Sequence, residues 1–141
     1  MRLLLIFISI AGLIIGCASS SKNSDKIDSL EHLVAIEQPD DEPNEMAKVY
    51  IDSLKTIQHN NTRSLLIHGT FPDGCTKLRA VSHHLDGDSL SMDISAWRNP
   101  NMMCTQALTP FSYLYDGITE EELNSHKQIF INGTPFSLNY E

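Results

Sequence analysis

The sequence predicts an all-β domain behind an N-terminal signal segment and tether. Three observations predict it. Beyond Met46, short runs of β-forming residues recur about every ten positions, with turn residues between them. The run Leu90-Ser91-Met92-Asp93-Ile94-Ser95-Ala96 alternates apolar and polar side chains without a break, which is the period of a half-buried strand. Asp86-Gly87-Asp88 and Asn132-Gly133 fall between such runs, where Gly supplies the positive φ that tight hairpins need. Spacing of this kind suits a sandwich or a barrel.

Taken in order, Val49 and Ile51 alternate with Tyr50 and Asp52 and open a first strand. His59-Asn60-Asn61-Thr62 reads as a turn, and Arg63 to Thr70 as a second strand with Leu65 and Ile67 on one face. Lys77 to Leu85 and Ser89 to Trp97 read as a hairpin, with Leu90, Met92, Ile94 and Ala96 inward. Phe111 to Tyr115 is a fifth strand. Thr119-Glu120-Glu121-Glu122 matches a capping box and predicts a helical turn. Gln128 to Ile131 and Pro135 to Tyr140 then pair across Asn132-Gly133. The count is about seven strands.

Ahead of the domain stands an address. Met1-Arg2 is a minimal positive region, and Leu3 to Ile15 is mostly large and apolar. That run is shorter than the roughly 20 residues a membrane span needs, and fits the core of a secretory signal. Its end, Leu13-Ile14-Ile15-Gly16-Cys17, resembles a bacterial lipobox. The resemblance implies cleavage before Cys17 and acylation of its sulfur and new amino group. Several acyl chains anchor stably where one would not. The expected division is a signal peptide over 1–16, the lipidated Cys17 and a tether over 17–46, and the β domain over 47–141. The expected location is the bacterial cell envelope. Ala18 follows the cysteine, which favours the outer membrane if the host has two. Within the tether, Ile27, Leu30, Leu33 and Val34 fall near helical spacing behind Ser24, predicting a short helix over 25–38.

The chain has 141 residues and a formal charge of −8, which becomes −9 once Arg2 leaves with the signal. That balance excludes nucleic acid, whose phosphates need clustered Lys and Arg. It also opposes electrostatic adsorption to anionic lipid. Of the three cysteines, Cys17 has its own explanation, so Cys75 and Cys104 suit one disulfide in an oxidising compartment. There is no Cys-x-x-Cys to suggest a redox pair or metal thiolates.

Three blocks carry a resemblance: G-x-F-P-D-G-C-T-K-L (69–78), C-T-Q-A-L-T-P-F (104–111) and I-F-I-N-G (129–133). They are similar, in order, to a recurrent family of small secreted or lipid-anchored bacterial domains with no established function. The resemblance covers roughly Lys48 to Tyr140 and implies an immunoglobulin-like antiparallel β-sandwich bridged by Cys75–Cys104. Where family members often carry Gly-x-Tyr before the penultimate strand, this chain has Ser125, His126 and Lys127.

No catalytic signature stands out. There is no G-x-S-x-G elbow, and Asp86/Asp88 and Asp40/Asp41 sit in turn or tether sequence. Asp86, Asp88 and Asp93 lack the repeat logic of a calcium loop. His83 and His84 are strand neighbours and face opposite ways, so they do not share an ion. Met102-Met103 with a nearby His is the composition of a Cu(I) site, but reads more simply as a loop over the disulfide. No cofactor and no metal are expected. The candidate interaction surface is Trp97, Arg98, Tyr113 and Tyr115, an aromatic cluster if Trp97 is exposed; the alternative has Trp97 at a strand end, folded over the core edge.

The functional expectation is a membrane-anchored lipoprotein whose non-enzymatic sandwich is an interaction or envelope-structural module. Its partners would be the membrane, through Cys17, and an envelope protein or glycan. One alternative is an inhibitor of an exported hydrolase, of protease or lysozyme type, presenting a rigid loop such as Asn99 to Met103. The other is a glycan-binding module.

Overall fold

Two long hairpins form the frame, and their alternating side chains meet between them. The computed structural model describes residues 30–59 and 61–140, so the expected signal segment and Cys17 lie outside the described residues. Among these residues the elements are β1 (Glu45–Ala47), β2 (Tyr50–His59), β3 (Thr62–Phe71), β4 (Lys77–Asp86), β5 (Ser89–Arg98), β6 (Thr109–Tyr115), α1 (Glu120–Ser125), β7 (Gln128–Ile131), β8 (Thr134–Ser137) and β9 (Asn139–Tyr140). One sheet runs β6-β3-β2-β9. In the other, β4 pairs along the length of β5, so β1 and β7 share the far side of β5. β8 then extends the sheet from β7.

The two sheets form the sandwich that the sequence predicts. Leu54, Leu65, Ile67 and Phe111 from one face Leu78, Leu90, Met92, Ile94, Ala96, Ile129 and Ile131 from the other. The inward row of β5 falls as alternation requires, with Asp93 left in water. Phe71 and Phe111 stack with centroids 4.2 Å apart, an apolar lid on the core. Gly69 lies beside them because nothing larger fits. A Cβ there would meet Tyr50 O at 2.5 Å and the Phe111 ring at 2.6 Å. Thr119 caps α1, and its hydroxyl and backbone N–H exchange hydrogen bonds with Glu122 as the capping box predicts.

Two short strands raise the count beyond the seven expected. β1 has three residues and β9 has two, too few for a periodic signal. The last arm, continuous in the sequence pattern, is broken in the structure. β8 ends at Ser137 in one sheet, the Leu138 N–H bonds Lys127 O at 3.1 Å, and β9 joins β2 in the other sheet. Burial of Leu138 drives this crossing.

The helix expected over 25–38 is not formed in its described part. Residues 33–38 instead run as an extended strap between the two sheet edges, behind a turn at His32. The Val34 N–H donates to Ser112 O at 2.9 Å, and the Ser112 N–H to His32 O at 2.8 Å, on β6. The Glu37 N–H then donates to Leu78 O at 2.8 Å, and the Gln38 amide to Arg79 O at 3.0 Å, on β4. An isolated helix of three turns is marginal in water, whereas edge strands offer unpaired backbone groups. The edges win.

Candidate interaction site at the disulfide end

Loops 72–76 and 99–108 close one end of the sandwich, and Cys75–Cys104 ties them, with Cα atoms 5.5 Å apart. The Gly74 N–H donates to Thr105 O at 3.2 Å. A Cβ on Gly74 would lie 2.4 Å from the Thr105 hydroxyl, so the loops touch only because this residue has none.

Asp73 is the buried polar centre of this end. Its Oδ1 accepts from the Cys75 N–H, the Thr76 N–H and the Thr76 hydroxyl, each at 2.9 Å. Its Oδ2 accepts from Arg98 Nη1 at 3.1 Å, and Arg98 Nε donates to Glu45 Oε1 at 2.6 Å. Burial raises the Asp73 pKa, but the bonds from Thr76, Cys75 and Arg98 outweigh it and hold the carboxyl below its ordinary range. The arrangement joins the loop, the end of β5 and β1 through one carboxylate. Sequence reading misses Asp73. The signal is present in Asp73-Gly74-Cys75-Thr76, since Asp commonly bonds the backbone two and three residues on.

Of the two readings of Trp97, the structure has the covered one, though the cover is not the core edge. The cross-strand partners of Trp97 are Met46 and Lys77, so it does face away from the core. The strap covers it nonetheless, and only 2% of it is accessible. Its indole N–H donates to Glu37 O at 2.6 Å, while the Lys77 ammonium sits 5.7 Å from the ring centre and pairs with Glu37. Arg98 is engaged with Asp73 and Glu45. Tyr113 and Tyr115 stand on β6 in the other sheet and pack partly against the core. Trp97 and the tyrosines therefore form no common aromatic surface.

The loops of this end expose three large apolar side chains among polar ones such as Asn101, Thr105 and Gln106. Met103 is fully exposed at 101%, Leu108 at 69% and Met102 at 56%. A groove at Met102 is lined also by Trp97, Cys75, Lys77, Asn99 and Glu42. The loop's start is fixed by Asn99, which accepts from the Asn101 N–H at 3.0 Å and donates to Glu42 at 3.3 Å.

A second polar cluster joins the sheets on the strap side. His83 Nδ1 lies 2.8 Å from the Tyr115 hydroxyl, and its Nε2 lies 3.7 Å from Glu122 Oε1. The other Glu122 oxygen takes the Thr119 N–H and hydroxyl, which holds its carboxyl below the usual range. Burial pushes the Tyr115 phenol up, so it is a neutral donor or acceptor rather than a nucleophile. This is a bridge from β4 to β6 and α1. His84 faces the opposite way, toward Asp93 at 3.3 Å, as strand alternation predicts. Among the described residues no group of three His, Cys, Asp or Glu is placed to hold a metal ion.

Comparison with known proteins places residues 65–140 against the family described as the ORF11 beta-sandwich domain. The chain is similar to an uncharacterised 10.2 kDa protein in the HgiCIIM 5′ region of Herpetosiphon aurantiacus, 33% identical over 49 residues. That alignment covers 35% of this chain and 52% of the relative. Another 10.2 kDa protein of the same organism, in the HgiBIM 5′ region, is 33% identical over 46 residues, covering 33% of this chain and 56% of the relative. The chain thus spans about half the length of these curated relatives. No solved structure matches.

Proposed function

This chain belongs to the ORF11 beta-sandwich domain family, and from that premise we propose that it is a non-enzymatic interaction module held at a bacterial cell envelope by lipid on Cys17. One observation carries the interaction role. The disulfide end pairs Asp73, Arg98 and Glu45 with one another, while presenting Met102, Met103 and Leu108 to solvent. Large apolar side chains held exposed on a rigid end suit a contact surface. The disulfide and the Gly74–Thr105 contact limit the entropy the loops lose on binding.

The anchor and the module are tested together on the chain extracted from membranes. Mass spectrometry should find acyl chains on an N-terminal Cys17, and Cys17→Ser should release the protein from the membrane fraction. A photocrosslinking residue at position 103 should yield a discrete adduct in intact cells, and one at Asp93 on the outer sheet face should not. Equal labelling from both positions, or from neither, overturns the loop end as the contact surface.

A second reading is the inhibitor of an exported hydrolase. Full exposure of Met103 next to a disulfide-bonded residue favours it, because a rigid projecting side chain suits an enclosed pocket. Protease and lysozyme assays with and without the protein separate it from the first. Glycan binding loses its intended platform, since the Trp97 ring is covered by the strap.

A further inference from the structure

Methionine is ordinarily among the more buried residues, and here the pattern is inverted. Of the four methionines among the described residues, Met92 is 1% exposed, whereas Met46 is 63%, Met102 is 56% and Met103 is 101% exposed. The exposed three belong to one end. Met46 is the cross-strand partner of Trp97, Met102 lines the groove beside Trp97, and Met103 precedes the disulfide-bonded Cys104. Replacing exposed thioethers by leucines would keep the surface apolar, so apolarity alone does not call for sulfur. A further observation concerns the sulfur itself: Arg79 Nη1 lies 3.5 Å from Met46 Sδ. A thioether is a weak acceptor, whereas a sulfoxide oxygen at that position is a strong one for a guanidinium donor.

We infer that Met46, Met102 and Met103 form a reversible oxidation site, whose substrate is an oxygen-atom donor of the peroxide or hypohalous acid class. In the peroxide case the O–O bond breaks, one oxygen bonds to the thioether sulfur, and water leaves. The sulfur loses two electrons and the peroxide gains them. Return to the thioether requires a methionine sulfoxide reductase and a thiol reductant. Oxidation makes three exposed apolar side chains of this end polar, while the core methionine, Met92, is shielded. The consequence for binding rests on the interaction role proposed above; the chemistry of the site does not.

The test uses the full chain purified from membranes in detergent and exposed to hydrogen peroxide. Peptide mass mapping should show sulfoxide at Met103, Met102 and Met46 at least ten times faster than at Met92. Trp97 is the chain's one tryptophan, so its emission should change as Met46 and Met102 oxidise. The emission should return with a methionine sulfoxide reductase and dithiol. The unfolding temperature should stay constant throughout. The Met46→Leu/Met102→Leu/Met103→Leu variant should fold and keep its emission under peroxide. Met92 oxidising as fast as the other three overturns the inference. So does a lowered unfolding temperature, an irreversible change, or the same emission shift in the leucine variant. None of these readings needs a partner, so the oxidation site and the contact surface can fail independently.

Discussion

Asp73 and Arg98 meet across the disulfide end, with Arg98 Nη1 donating to Asp73 Oδ2 at 3.1 Å from a side chain that also holds Glu45. The carboxylate is almost fully buried, whereas the guanidinium is half-exposed. Replacing Asp73 with Ala would strand the N–H groups of Cys75 and Thr76, so a loss of about 2–3 kcal/mol is expected by chemical denaturation. Arg98→Ala should cost less, because solvent screens its exposed side.

The same carboxylate sets an acid limit. Its folded pKa is depressed, so its contribution is present above the ordinary carboxylate range and is lost as pH falls through the depressed value. Glu122 has the same sign. His68 is also lowered, by burial and by Lys55, so it stabilises the fold while neutral and disfavours it as pH falls below the usual imidazole range. Thermal unfolding from pH 8 to 3 should therefore show stability decreasing in two stages, first through the histidine range and then through the carboxylate range. Asp73→Asn should flatten the second stage, and His68→Gln the first.

The disulfide closes a sequence separation of 29 residues. In the chain-entropy account, opening it costs roughly 3–4 kcal/mol. Cys75→Ser/Cys104→Ser should lower the denaturation midpoint accordingly. Because the loops also meet at Gly74 and Thr105, the double variant should still fold, with faster proteolysis confined to 99–108.

The strands are legible in the sequence wherever their period has room to repeat. β5 alternates from Ser89 to Ala96, and both glycine turns mark their hairpins, with Gly87 at φ 60° and Gly133 at φ 81°. The cysteine pair is legible from its count and place. The site is less so. Trp97 reads as exposed by alternation, and alternation does put it on the outer face; its cover comes from Glu37, 60 residues earlier in the chain. No local pattern encodes such a contact. Ile27, Leu30, Leu33 and Val34 suggest a helix because their spacing fits one, but in the described part the open edges of β4 and β6 take the backbone groups of His32, Val34 and Glu37. β1 is a strand because Arg98, Trp97 and Ala96 stand opposite it.

The strap predicts a fluorescence signature. Glu37 both donates its N–H to Leu78 O and accepts the Trp97 indole N–H. Glu37→Pro removes the first bond and shifts the backbone that makes the second. Trp97 emission should move to longer wavelength as water reaches the ring, with a loss of about 1–2 kcal/mol. Glu37→Gln keeps both backbone bonds and should leave the emission in place.

His83 and Tyr115 provide the last test, because they bond across the two sheets at 2.8 Å. The bond is part-buried and its ring contact is edge-on, with centroids 5.7 Å apart. Tyr115→Phe removes the hydroxyl and keeps the ring, and His83→Leu removes the nitrogen while keeping an apolar body of similar size. Each should lower stability by about 1 kcal/mol. If the two act only through each other, the double variant should lose little more than either single one, a coupling of about 0.5–1.5 kcal/mol by double-mutant cycle. Additive losses would mean that His83 is held by Glu122 instead, and His83→Leu/Glu122→Gln would then show the coupling. Either result identifies which side-chain bond joins β4 to its neighbours here, beside the strap that links the same two edges through Ser112 and Leu78.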